Sequence, residues 1–149
     1  MHRRRLVSLV ALALACAACQ PAAPARRAGT PADPWLIGMS QSNLGEPWRV
    51  QMDADVRAAA AARGNVRVMF KDAQNDSLVQ RAQVEELIEQ GVDLIVISPN
   101  EAAPLTRPVA EAMQAGIPVV VLDREVQGNE YTAFIGADNV QDLKCGQLV

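Results

Sequence analysis

With 149 residues the chain is long enough for one domain with a real core and too short for two, and a hydrophobic half set against 21% charged residues excludes a disordered chain. Net charge is -3 at pH 7, and losing Arg3, Arg4 and Arg5 with a leader doubles that negative excess, which argues against a nucleic-acid partner. The single histidine is His2, so a chain that sheds its leader keeps no imidazole for acid–base catalysis or metal ligation.

Met1 to Arg5 is basic, Leu6 to Ala15 is apolar, and small residues lead into Cys16 and Cys19. This is the three-part layout of a bacterial export signal, assigned to residues 1–19, and its apolar run is too short to span a bilayer. Cys19 is the favoured lipid-bearing residue of a lipoprotein signal, with Cys16 second. A plain periplasmic product is the alternative, because Cys16 stands three places before Cys19, where a leucine is usual. Residues 20–34 are rich in Ala and Pro without periodicity and read as a tether. Cys145 reads as an inert helix residue, and the three cysteines give neither a disulfide framework nor a zinc spacing.

From Trp35 short apolar runs alternate with longer amphipathic ones. Trp35 to Met39, Val66 to Phe70, Leu94 to Ile97 and Val119 to Leu122 read as buried parallel strands covered on both faces, with Tyr131 to Ile135 as a further strand. Trp48, Met52 and Val56 mark one stripe of a first helix. Ser77 with Gln80 forms a capping box opening a second helix that ends in Leu87 and Ile88. A third runs from near Leu105 through Val109 and Met113, which places Pro108 in its first turn. Gly64, Gly91 and Gly116 each stand between a helix and a strand, where a left-handed cap needs glycine. With right-handed crossovers these units build a doubly wound parallel α/β sheet over residues 35–137. Arg81, Glu85, Glu86 and Glu89 read as solvated helix surface.

In such a sheet the residues after each strand gather at one rim, where ligands bind. That rim holds Ser40, Gln41, Ser42 and Asn43; then Asp72, Gln74 and Asn75; then Ser98 and Asn100; then Asp123 and Arg124. Asn75, Asp76 and Ser77 are better explained as helix caps. Sugar recognition needs planar groups that hold neighbouring hydroxyls and a ring that covers the C–H face. Asp123 with Arg124 and Glu46 with Arg49 offer the first, and Trp48 the second. Trp48 as a staple for its helix, and Asp123–Arg124 as a structural ion pair, stay open. The candidate ligand-binding residues are Asn43, Glu46, Trp48, Arg49, Ser98, Asp123 and Arg124.

Ile37 to Arg49 (IGMSQSNLGEPWR), Asp72 to Asn75 (DAQN), Gln90 to Pro99 (QGVDLIVISP), Gly116 to Arg124 (GIPVVVLDR) and Gly136 to Asn139 (GADN) together resemble periplasmic sugar-binding proteins of the ribose-binding type. The resemblance implies an N-terminal lobe of a two-lobed protein that captures a monosaccharide or polyol and delivers it to an ABC-type permease or a membrane receptor. It implies ring stacking by Trp48, hydroxyl binding by Asp123 and Arg124, and a hydrogen bond from Ser98, where asparagine is common. Glu46 and Arg49 stand where the family carries an asparagine and a second aromatic, so the sugar stays open, furanoses and inositol included. Residues 138–149 would begin the crossing to a second lobe. A chain that stops at Val149 is expected to lack that lobe and to bind sugar weakly by itself.

A nucleotide-binding enzyme of the same sheet class would need a Gly-x-Gly-x-x-Gly turn or a Gly-Lys-Ser/Thr phosphate loop, and neither is present, so no cofactor or metal is expected. A sugar-responsive transcription regulator would begin with a DNA-reading helix-turn-helix where this chain has a leader. The remaining alternative is the exported sensor lobe of a chemotaxis or kinase system.

Overall fold

The computed structural model describes residues 27–136. The export signal, Cys16, Cys19, the tether up to residue 26, and the crossing segment with Asp138, Asn139 and Cys145 lie outside the described residues.

Five parallel strands form one sheet in the order β2-β1-β3-β4-β5: β1 (Trp35–Gln41), β2 (Val66–Asp72), β3 (Leu94–Ile97), β4 (Val119–Leu122) and β5 (Ala133–Ile135). Three helices connect them: α1 (Pro47–Arg63), α2 (Ser77–Glu89) and α3 (Ala102–Gln114). The chain steps from β1 outward to β2, then back across β1 to β3. Right-handed crossovers therefore send α1 to one face and α2 and α3 to the other. The doubly wound α/β reading holds.

The core lies on the α2–α3 face. Val84 and Leu87 of α2 and Leu105, Val109 and Ala112 of α3 pack onto Ile95, Ile97, Val119 and Val121. Gly38 belongs to this contact, since a Cβ there would come within 2.6 Å of both Leu87 Cδ atoms. On the opposite face alternation puts Leu94, Val96, Val120 and Leu122, which are only half-buried. Helices lie on both faces as expected, and among the described residues α1 covers its face in part.

Gly64, Gly91 and Gly116 have φ values of 70°, 61° and 79°, the left-handed caps expected of them. Two helix starts differ from expectation. The cap of α2 is Asp76, whose carboxylate accepts from Leu78 N at 2.7 Å and Val79 N at 3.1 Å, so Ser77 and Gln80 form no capping box. Helix α3 begins at Ala102, and Pro108 lies buried inside it rather than in its first turn. Without an N–H, Pro108 leaves one turn of α3 short of a hydrogen bond, and its burial in the apolar contact offsets that loss.

Residues 27–34, the end of the expected tether, are held against the sheet. Arg27 donates to Gly91 O at 2.6 Å and Asp93 Oδ2 at 3.1 Å, Asn65 donates to Gly29 O at 2.9 Å, and Thr30 and Asp33 close a turn. On the outer surface of α2 Arg81 pairs with Glu85 at 2.8 Å. The Lys71 ammonium donates to both Glu86 oxygens at 2.8 Å, and this bond lowers the Glu86 carboxyl below its ordinary value.

Candidate functional site

Strand register sets the rim. Ser40 is level with Ile97, and Ile97 with Val121, so Gln41 and Leu122, the last residues of β1 and β4, stand beside Ser98, the first residue after β3, and Asp123 stands one residue beyond. The chain reverses its order between β1 and β3, where an open parallel sheet leaves a crevice. Arg49, in the first turn of α1, is carried into it.

Arg49 is 1% exposed. Its Nε donates to Glu46 Oε2, Nη1 to Ser98 Oγ at 2.6 Å and to Gln41 Oε1 at 3.3 Å, and Nη2 to Asp123 Oδ2 at 2.8 Å. One guanidinium thus joins β1, the start of α1, the end of β3 and the end of β4. A buried cation is tolerated only when its donors are matched, and here two carboxylates, an amide and a hydroxyl take them. Among the described residues every buried side-chain nitrogen and oxygen has a partner.

The carboxylates stay accessible: Asp123 is 35% exposed and Glu46 47%. Each bonds Arg49 through one oxygen, which leaves acceptor capacity facing solvent. Trp48 is 45% exposed, with the Arg49 guanidinium 4.1 Å from its ring centroid. Asp123 has φ 66°, and Arg124 N bonds back to Leu122 O at 2.7 Å, a tight turn of a kind rarely populated outside glycine. Strain of this sort persists where surroundings over-determine it, as Arg49 does here.

The structure brings Glu46, Trp48, Arg49, Ser98 and Asp123 together. Asn43 is turned elsewhere, donating to Asn75 Oδ1 at 2.8 Å and accepting from Gly45 N at 2.9 Å, so it ties two loops together. The ion pair left open between Asp123 and Arg124 is a long one, with Arg124 Nε 4.0 Å from Asp123 Oδ2, while Arg124 Nη1 donates to Asn100 O at 2.7 Å. Adjacent residues at the end of a strand point apart, so the closer cation for Asp123 comes from α1. Trp48, Met52 and Val56 do share one stripe of α1, with Met52 and Val56 half-buried. The buried residues of α1 are Arg49 and Asp53, and Trp48 stands at the rim.

Ser40 and Gln41 lie within β1, two residues past its expected end, and both are fully buried. Ser40 Oγ donates to Gln83 at 3.0 Å on the α2 face, and Gln41 Nε2 to Asp53 at 2.9 Å on the α1 face. They support the rim from below. Sequence reasoning missed Asp53, Gln80 and Gln83. A signal existed for Gln80, because it falls on the same stripe as Val84 and Leu87, and a polar residue leading a buried stripe must have a buried partner. Among the described residues no cluster of His, Cys, Asp and Glu is placed to hold a metal ion.

A family model described as the periplasmic binding protein domain matches residues 37–141. The ribose import binding protein of Bacillus subtilis (strain 168) is 37% identical over 107 residues, which cover 72% of this chain and 35% of that protein. The fructose-binding periplasmic domain of a hybrid two-component system superposes with a TM-score of 0.68 at 38% identity, covering 76% of this chain and 40% of that one. A galactofuranose-binding protein superposes with a TM-score of 0.70 at 30% identity, covering 75% and 38%. The chain spans about a third of the length of the curated relatives it matches.

Proposed function

The chain belongs to the periplasmic binding protein family, and from that membership we propose that it is the ligand-capturing lobe of an exported solute-binding protein that takes a neutral monosaccharide or polyol for an ABC-type importer. The observation that carries the reading is the buried guanidinium of Arg49 holding two accessible carboxylates, Glu46 and Asp123, beside an exposed Trp48 ring. Carboxylates fixed in this way accept hydrogen bonds from adjacent hydroxyls, and the ring covers a C–H face. Ser98 and Arg49 complete the set, with Asn43 and Arg124 at its margins. A binding role without catalysis follows from the likeness to binding proteins. Residues 1–19 direct export to the periplasm, and Cys19 carries the lipid anchor.

A ligand that binds only the folded state raises its melting temperature. In a thermal-shift screen of the full gene product against ribose, fructose, galactofuranose, xylose and myo-inositol, at least one gives a saturable rise, and Asp123→Asn abolishes it. A screen with no response to any sugar or polyol overturns the reading.

A sensing role is the second reading, favoured by the likeness to the periplasmic domain of a two-component system. Deleting the gene and measuring uptake of the sugar found by the screen separates the two, since only the importer reading requires uptake to fall.

A further inference from the structure

Gln80 bonds none of the side chains assigned to the ligand, yet it is fully buried beneath them. Its Nε2 donates to Ser98 O at 2.9 Å, and its Oε1 accepts from Asn100 N at 2.8 Å. The two bonds bracket Pro99, which has no N–H of its own. Strand β3 ends at Ile97, and although Ser98 N still bonds Ser40 O of β1 at 3.0 Å, it is the Gln80 amide that partners Ser98 O and Asn100 N beyond it.

The residues so gripped are the ones that hold the rim's two arginines. Ser98 Oγ accepts from Arg49 Nη1 at 2.6 Å, and Asn100 O accepts from Arg124 Nη1 at 2.7 Å. We propose that Gln80 is the positioning residue of the binding rim: by clamping Ser98 and Asn100 it sets both guanidinium groups at once. The bond to Ser98 O is buried and the bond from Asn100 N half-buried, which limits competition from water, and both spring from a helix packed on the core through Val84 and Leu87.

Gln83, one turn further along α2, provides the comparison. It also bridges two strand ends, accepting from Ser40 Oγ at 3.0 Å and donating to Asp72 O at 2.8 Å, but it reaches neither arginine's partner. A purely structural role would make the two glutamines equivalent.

The affinity part of the test rests on the sugar reading, so a second readout is independent of it. Gln80→Glu keeps the acceptor for Asn100 and loses the donor to Ser98; Gln80→Met loses both at similar length, so that misfolding of one still leaves the other. Each is compared with Gln83→Leu, in the full gene product for affinity and, for fluorescence, in the 149-residue chain carrying Trp35→Phe, where Trp48 is the tryptophan left to report the Arg49 stack. The expected result is that the Gln80 variants weaken sugar binding by about tenfold, equivalent to about 1.4 kcal/mol, and shift Trp48 emission. Gln83→Leu lowers the melting temperature but stays within about twofold in affinity, the usual scatter for uncoupled sites. Equal affinity losses for Gln80 and Gln83 variants, or unchanged affinity and emission in the Gln80 variants, overturn the proposal. If the unsubstituted protein binds no sugar, the functional reading fails, and the emission comparison alone decides Gln80.

Discussion

Arg49 Nη2 lies 2.8 Å from Asp123 Oδ2, joining the first turn of α1 to the residue that follows β4 across 74 positions of sequence. The bond spans the end of β3, which lies between β1 and β4 in the sheet. It fixes an aspartate whose backbone is already held in an uncommon turn, so the carboxylate has one orientation before any ligand arrives. Binding then costs less ordering entropy than it would with a free side chain.

Replacing Arg49 with Met leaves Asp123 and Glu46 without their cation and Ser98 and Gln41 without their donor. Because both carboxylates reach solvent, the expected loss is about 1–3 kcal/mol, below that of a wholly buried pair. Arg49→Lys recovers only part of it, since an ammonium cannot present the planar fork. Urea denaturation measures both, and an unchanged midpoint for Arg49→Met would show that the network holds nothing together.

Arg124 offers a contrast within the same turn. Its side chain is 55% exposed and bonds only a carbonyl, so Arg124→Met should change stability by no more than about 0.5 kcal/mol. A loss matching that of Arg49→Met would restore Arg124 as the partner of Asp123.

Gly38→Ala drives a methyl into Leu87. Overpacking of this kind costs about 1–3 kcal/mol. In a Leu87→Ala background the space exists, and the cost of Gly38→Ala should largely vanish. A double-mutant cycle by thermal denaturation reads this coupling directly, and additive effects would mean that strand β1 and helix α2 do not meet there.

Asp76→Ala removes the side-chain cap of α2 and should cost about 1 kcal/mol. Ser77→Ala, which removes only a hydroxyl accepting from Asn100 Nδ2, should cost less than half of that. Chemical denaturation of the two variants distinguishes the observed cap from the capping box suggested by sequence spacing.

Tyr131 is the single tyrosine, and its hydroxyl donates to Glu125 Oε1 at 3.0 Å. That bond first, then burial and the nearby negative charge, raise its ionisation above the ordinary tyrosine value. A group with a raised folded-state pKa contributes its stability in full below the unfolded value and loses it as pH rises through the folded one. Ultraviolet titration of the phenolate should therefore show a transition above that of free tyrosine, and Glu125→Gln should move it down.

The layout of strands and helices was legible because apolar runs, amphipathic stripes and three glycine caps are local signals. Cap identity and the start of α3 were less so. Asp76 and Ser77 are both good cap residues, and only the backbone turn at Asp76 selects between them. Pro108 suggested a first turn because proline seldom stands elsewhere, and the contact that accommodates it inside α3 involves other parts of the chain.

The site divides in the same way. Periodicity and strand ends placed Ser98, Asp123, Glu46, Trp48 and Arg49 on one rim, since a parallel sheet brings every strand's trailing residues to one edge. Sequence alone thus determined the sheet, its direction and the inventory of groups at its rim. Which of those groups touch was decided by the tertiary structure: Arg49 reaches past its chain neighbours to Asp123, Arg124 turns away to Asn100, and Gln80 rises from beneath. Those choices depend on the relative height and rotation of packed helices, quantities of a few ångströms that no local pattern of residues encodes.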